Sequence, residues 1–313
     1  MAAIYDTIAV IGCGLIGGSV VRAARATGAA RTIVVAEQGA AKTRVEELGI
    51  ADRVTADLAD AVKDADLVIF ATPVGAIGAA AELAARGYKP GATISDVGSV
   101  KGAPAQALRA CAPPGVHVVP GHPIAGTEHS GPDSGFAELF QNRWTILTPQ
   151  PSSDPAYAAA IDRLEAFWTA LGAKVERMDE QHHDLVLAVT SHLPHLIAYN
   201  IVGTAADLEA VTQGEVIKFS ASGFRDFTRI AASDPVMWRD VFLMNKDAVL
   251  EILGRFTEDL QALSRAIRWG EGDRLEELFT RTRTIRRSIV AAGQESAEPN
   301  FGRDRDLGDH PKQ

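Results

Sequence analysis

Apolar and polar positions succeed one another in a regular order along the first half of the chain. Residues 4–11 read as a buried strand, and an Ala-rich helix follows to Gly28. A second strand is predicted at 32–36, ending at Glu37, then a helix to Gly49 and a short strand near Val54. Further strands are predicted at 66–71, 92–97, 116–120, 144–148 and 174–178, with helices over 74–86 and after Lys101. Strands alternating with helices in this way imply a mostly parallel sheet covered on both faces.

The period changes near residue 179. From there the pattern is helical, with Asp179 as cap of a helix to about residue 206 that Pro194 should kink. Asp234 and Pro235 form an N-cap and first-position pair, opening a helix to about residue 268 with Gly270 as its stop. On it Phe242, Val249, Leu253, Phe256, Leu260, Leu263 and Ile267 recur at intervals of 7, 4, 3, 4, 3 and 4, one continuous apolar stripe. Asp273 and Glu276 resemble a capping box before a last helix ending at Gly293. Residues 297–313 are polar, with alternating charge, and read as a disordered tail. The expected fold is therefore α/β over 1–178 followed by an all-α domain over 179–296.

Composition changes this picture little. The chain has 313 residues, enough for two cores, with 46% apolar and 23% charged residues. A net charge of −9 argues against a nucleic-acid surface and against an anionic membrane surface. The two cysteines, Cys13 and Cys111, form neither a metal spacing nor a disulfide framework. No signal peptide and no apolar run long enough for a membrane span is read, so a cytoplasmic protein is expected.

The candidate chemistry begins at Gly12-Cys13-Gly14-Leu15-Ile16-Gly17, between a predicted strand and a predicted helix. Gly12 permits the tight turn, Gly14 admits a pyrophosphate, and Gly17 lets the helix approach the strand. The helix N-terminus, from Leu15 and Ile16 onward, offers N–H groups to phosphates. Glu37, ending the second strand, would accept from ribose hydroxyls and repel a 2′-phosphate. NAD is therefore favoured, while Lys42 and Arg44 leave room for NADP. Thr72-Pro73 and the segment from Asp96 to Lys101 fall at carboxyl ends of strands, where ligands of open sheets bind. Ser99 reads either as a ligand-facing hydroxyl or as a helix cap, and Lys101 can approach an anion.

Gly121-His122-Pro123-Ile124-Ala125-Gly126-Thr127-Glu128 follows a predicted strand as a loop. Its imidazole is either a satisfied loop histidine or the acceptor on a hydroxyl that gives up hydride; the position at a strand end favours the second. His192 and His195 share a helix face on either side of Pro194. They can wall a pocket, whereas a metal site lacks a third ligand at suitable spacing. His182 and His183 read as solvated. Asp226 and Arg229 are three apart and form either an intrahelical ion pair or a site where the guanidinium grips a carboxylate.

Taken in order, Gly12–Gly17, Asp96–Lys101, Gly121–Gly131, Ser191-His192-Leu193-Pro194-His195 and Phe224–Trp238 resemble the prephenate dehydrogenase family, including cyclohexadienyl and arogenate dehydrogenases. The resemblance implies a Rossmann domain, an all-helical dimerisation domain and a homodimer. It implies oxidative decarboxylation of prephenate, or of arogenate, with a nicotinamide cofactor. On this resemblance His122 matches the catalytic histidine and Ser99 a serine that orients it. Arg229 matches the anchor of a substrate carboxylate, and His195 a histidine near the substrate side chain. Glu128 and Asp226 match acidic residues of a gate, and Trp238 an aromatic near the pocket; His192 joins His195 in the pocket wall. The runner-up is an arogenate-preferring dehydrogenase using NADP; behind it stands another two-domain dehydrogenase of the β-hydroxyacid kind, in which Lys218 or Lys246 would have to be catalytic.

Overall fold

The computed structural model describes residues 3–127, 129–212, 218 and 221–291. By internal contacts the chain divides into two compact units, residues 1–252 and 253–313. Among the described residues the first unit carries a six-stranded parallel sheet of order β3-β2-β1-β4-β5-β6. These strands are β1 (Tyr5–Ile11), β2 (Ala30–Ala36), β3 (Arg53–Thr55), β4 (Leu67–Phe70), β5 (Thr93–Asp96) and β6 (His117–Val118). The order reverses between β1 and β4, which opens a crevice at their carboxyl ends. Their central residues (Ile8, Ala9, Val10, Leu67, Val68, Ile69) are fully buried, as expected of strands covered on both faces.

The chain from Gly121 onward leaves this sheet. A smaller sheet joins β7 (Gly121–Pro123), β8 (Trp144–Leu147) and β9 (Lys174–Arg177), with β7 antiparallel to β8 and β8 parallel to β9. His122 therefore lies in a strand, paired with Ile146, and not in a loop. Three residues between glycine, prolines and an irregular segment are too short a run for alternation to reveal. Between β8 and β9 the helix Pro155–Ala170, which the pattern reading left unassigned, is capped by Asp154 through the Ala156 N–H at 2.9 Å. Its Leu164, Phe167 and Trp168 are fully buried, with Phe167 edge-on to Tyr5 at 5.7 Å.

Asp179 does cap the first helix after the sheet, accepting from the His182 N–H at 2.8 Å. The helix runs through Pro194 to Thr212 by way of a π turn over Ala188–His192. That turn shifts the hydrogen-bond register where proline supplies no N–H, so the helix continues. Part of this run, Glu180–Leu208, contains an 18-residue stretch with a mean hydropathy of 1.4 and is long and apolar enough to cross a membrane by length and composition. The expectation of no such run fails on that criterion because the count tolerates polar residues such as His192 and His195. Within the protein its His183 and His192 are fully buried in polar contacts, as in a helix packed on protein.

The helix opened by Asp234 and Pro235 ends at Met244, and a second spans Lys246–Trp269. The expected single helix is broken at Asn245 (φ −104°, ψ 30°), whose buried amide is held by other segments. The last helix begins at Gly272, one residue before Asp273. Its expected stop at Gly293 and the expected tail 297–313 lie outside the described residues.

Candidate active site

The glycine loop joins β1 to the helix Leu15–Thr27. Gly12 has φ +90°, and a Cβ there would meet the Ala71 carbonyl at 2.9 Å. A Cβ on Gly17 would collide with the Gly12 carbonyl oxygen, whereas one on Gly14 would meet nothing within 4 Å. The loop is thus packed on its protein side and open where backbone faces the crevice. No side chain caps the helix that Gly14 begins, so the first N–H groups, among them those of Leu15 and Ile16, face outward. Glu37 lies beside them: one carboxylate oxygen accepts from the Cys13 N–H at 2.7 Å and the other from the Gln38 N–H at 3.0 Å. Thr72, after β4, keeps a buried hydroxyl with no partner among the described residues, and Pro73 beside it is exposed. An anion cradle, a carboxylate beside it at the end of β2 and an unsatisfied hydroxyl fit a dinucleotide. Lys42 and Arg44 are both engaged by carboxylates: Lys42 by Glu46 at 2.5 Å, and Arg44 by Glu47 at 2.8 Å and two-pronged by Asp133.

Asp96 ends β5, and Lys101 follows just before the helix Gly102–Cys111. Both are fully buried and paired. The Lys101 ammonium also donates to the Gly121 carbonyl at 2.6 Å, while Asp96 accepts from the Gly98 N–H at 2.9 Å and the Gly121 N–H at 3.3 Å. Burial pushes the Lys101 pKa down and Asp96 opposes the shift. The anion that Lys101 approaches is therefore one of the protein's own. The pair fastens the end of β5 to β7, and so sets the position of His122.

His122 is 8% exposed, and its Nδ1 lies 2.9 Å from Nε2 of His183. His183 in turn places Nδ1 2.8 Å from a carboxylate oxygen of Asp184. Burial first, then the charges of His183, Lys101 and His192, hold the His122 pKa well below 6.5, so the imidazole is neutral at neutral pH. Ser99 is half-buried in the turn after β5 and among the described residues makes no hydrogen bond to His122. His192 is fully buried, its Nδ1 3.0 Å from the Asn245 side-chain amide, which also donates to the Asp184 carbonyl at 2.8 Å. Burial brings the His192 pKa down to about 4.

His195, half-buried, stacks on Trp238 with ring centres 3.6 Å apart. Its Nδ1 faces the Ser191 carbonyl at 2.8 Å, which fixes Nδ1 as the donor and leaves Nε2 as an acceptor. Burial and then the Arg229 guanidinium lower its pKa, so Arg229 stands near this ring. Arg229 is half-buried at the end of the short helix Ser222–Thr228, on which Asp226 is exposed. Trp238 is buried on the helix Pro235–Met244 among Val74, Ile77 and Val241. Glu128 lies outside the described residues. No cluster of metal-binding side chains occurs among the described residues.

The structure thus gathers His122, His192, His195 and Trp238 into one set of linked side chains, with Arg229 beside His195. Sequence reading placed Asp96 at the sheet edge without a role, and missed Asp184, Asn245 and above all His183, which is fully buried and not solvated. The signal was present in the helix register: His183 and Leu187 fall at i and i+4 and share the buried face.

The sheet order, glycine cradle and neutral histidine define a dehydrogenase of the Rossmann class, built around a nicotinamide dinucleotide. The chain belongs to the prephenate dehydrogenase family. Residues 20–177 match the family's nucleotide-binding domain and residues 179–281 its dimerization domain. A cyclohexadienyl dehydrogenase of Zymomonas mobilis is 40% identical over 287 residues, covering 91% of this chain and 97% of that protein. A prephenate dehydrogenase of Bacillus subtilis is 34% identical over 303 residues, covering 95% and 79%. The crystal structure of prephenate dehydrogenase from A. aeolicus, in complex with hydroxyphenyl propionate and NAD+, superimposes with a TM-score of 0.83 at 32% identity, covering 91% of this chain and 98% of that one.

Proposed function

We propose that this chain oxidatively decarboxylates prephenate to 4-hydroxyphenylpyruvate in tyrosine biosynthesis, with NAD as hydride acceptor and arogenate as a second substrate. The observation that carries the reading is the buried, neutral His122 at the carboxyl edge of the sheet. A neutral imidazole accepts the proton of a ring hydroxyl as hydride leaves the same carbon. Bound nicotinamide supplies the acceptor for that hydride. Gly12, Gly14, Leu15, Ile16, Gly17, Glu37, Thr72, Pro73 and Ser99 form its site, and Ser99 also reaches the substrate hydroxyl. Loss of the ring carboxylate then aromatises the substrate, so the protein need only orient it, exclude water and hold the proton. Arg229 grips a substrate carboxylate, and Trp238, His192 and His195 wall the pocket. Asp226 and Glu128 line its entrance.

Cofactor preference rests on Glu37, whose charge opposes a 2′-phosphate, and on the occupied state of Lys42 and Arg44. Prephenate and arogenate differ at the side chain. The free Nε2 of His195 accepts from the ammonium of arogenate, while Arg229 beside it suits the pyruvyl carboxylate of prephenate. The functional boundary is read at 178/179, where sheet gives way to helix, and the helical part pairs two copies into a homodimer. Two free cysteines, one buried in the glycine loop, agree with a reducing cytoplasm.

The test is His122→Asn, followed at 340 nm with prephenate and NAD. A fall in kcat of at least about a hundredfold with KM kept is expected; near-normal turnover would sink the assignment. Initial rates with both substrates crossed with NAD and NADP fix the preferences.

A further inference from the structure

We infer that His183 and Asp184 are positioning residues that lock His122 in the tautomer with hydrogen on Nδ1 and a lone pair on Nε2. The inference deepens the reading of His122 as proton acceptor and rests on it. It follows from counting donors and acceptors along a chain of three side chains. Both Asp184 carboxylate oxygens accept backbone N–H groups at the start of the helix Gly102–Cys111, from Lys101 at 2.8 Å and Gly102 at 2.9 Å. Burial works to raise the Asp184 pKa, but the bonds from His183, Gly102 and Lys101 outweigh it and hold the carboxyl ionised. An ionised carboxylate only accepts, so His183 Nδ1 carries the hydrogen.

Burial, with Lys101 adding to it and Asp184 opposing it, lowers the His183 pKa, so His183 is neutral and its Nε2 bears a lone pair. That lone pair lies 2.9 Å from His122 Nδ1, which must then donate. The other tautomer of His122 would set two lone pairs against each other at that distance. A neutral imidazole holding hydrogen on Nδ1 has only Nε2 left to receive a proton. The two partners thus choose which nitrogen works, as a buried carboxylate does for the histidine of a hydrolytic triad, with one more imidazole between. When His122 takes up the substrate proton, its Nδ1–H bond to His183 strengthens, and Asp184 lies behind to stabilise the charge.

The experiment uses the full-length enzyme with prephenate and NAD, together with 15N spectra of its histidine rings. His183→Phe removes the acceptor. It is expected to lower kcat by about tenfold or more with KM little changed, and to release His122 into a mixture of tautomers. His183→Gln, whose amide oxygen accepts, should restore much of kcat, and Asp184→Asn should fall between them. The double variant His122→Asn with His183→Phe should be no slower than His122→Asn alone, since His183 acts only through His122. Normal kcat in His183→Phe with the His122 tautomer unchanged overturns the proposal, as does a further loss in the double variant. If His183→Phe does not fold, an equal loss in His183→Gln with the tautomer retained overturns it. Full turnover of His122→Asn would instead sink the acceptor reading, and the ring spectra would still decide the tautomer.

Discussion

Glu37 is the carboxylate on which the proposed preference for NAD rests. Its two oxygens are held by the N–H groups of Cys13 and Gln38, so its charge is fixed at the mouth of the glycine loop. Glu37→Gln keeps the shape and removes the charge. The ratio of KM for NADP to KM for NAD should fall by about tenfold, since roughly 1.4 kcal/mol of repulsion is relieved; an unchanged ratio would mean that the ribose is recognised elsewhere. Arg229 is the proposed anchor of a substrate carboxylate. Arg229→Ala should mainly raise KM, by the equivalent of about 2–4 kcal/mol of lost charge-assisted bonding, with a smaller change in kcat. An unchanged KM would return Arg229 to an ordinary ion-pairing role. Buried histidines also couple stability to pH. The His192 pKa falls from 6.5 to about 4 in the folded state, so below 6.5 the unfolded chain binds the proton first. Stability is complete above pH 6.5 and declines as pH falls toward 4. Thermal denaturation across this range should show Tm dropping on the acid side, and His192→Phe should flatten that slope.

Among the elements, the turn from β5 into the helix Gly102–Cys111 joins cofactor cleft and proton acceptor. It carries the buried Asp96–Lys101 pair, which grips both backbone groups of Gly121. Lys101→Met should destabilise the protein by about 3 kcal/mol or more, because Asp96 is left as a buried charge without its counter-ion. It should also lower kcat, because β7 loses its anchor. Chemical denaturation and single-turnover rates measure the two effects separately. Much of this layout is legible in the sequence: the alternation of strands and helices in an α/β half, the glycine loop and the paired His192 and His195 all follow from period and punctuation. What stayed hidden has physical causes. β7 is three residues long and shows no alternation. The helix Pro155–Ala170 buries one face in a core made by distant residues such as Tyr5 and Phe140. The break at Asn245 is imposed by contacts to Asp184 and His192, far away in sequence, while the local pattern favours continuing the helix. His183 looked like one more polar residue in a first turn; only the fold brings it under His122.

For the whole molecule, the division of surfaces points to assembly. Every described residue of the proposed site lies within residues 1–252. The second unit is helical and leaves large apolar side chains open: Ile267 is 67% exposed, Trp269 73%, Phe279 56% and Ile285 53%. In the first unit Ile201, Val202 and Leu208 are open on the long helix of the dimerization domain. Apolar patches of this kind on helices are covered by a partner in stable proteins, and the family's helical domain gives a second copy as that partner. The exposed Leu260 and Ile267 are the residues with which to test that pairing. Covering a leucine or isoleucine contributes roughly 1.5–3 kcal/mol. Both chains carry the change, so losing both to charge, in Leu260→Glu with Ile267→Glu, should cost the dimer about 6 kcal/mol or more, which raises its dissociation constant more than about ten-thousandfold. Sedimentation should then show monomer at concentrations where the unaltered chain is dimeric, and Tm should lose the concentration dependence of a dimer. Binding of NAD should persist, because the glycine loop and Glu37 belong wholly to the first unit. A variant that remains dimeric would place the pairing surface elsewhere, with the open face of Ile201, Val202 and Leu208 as the next to substitute.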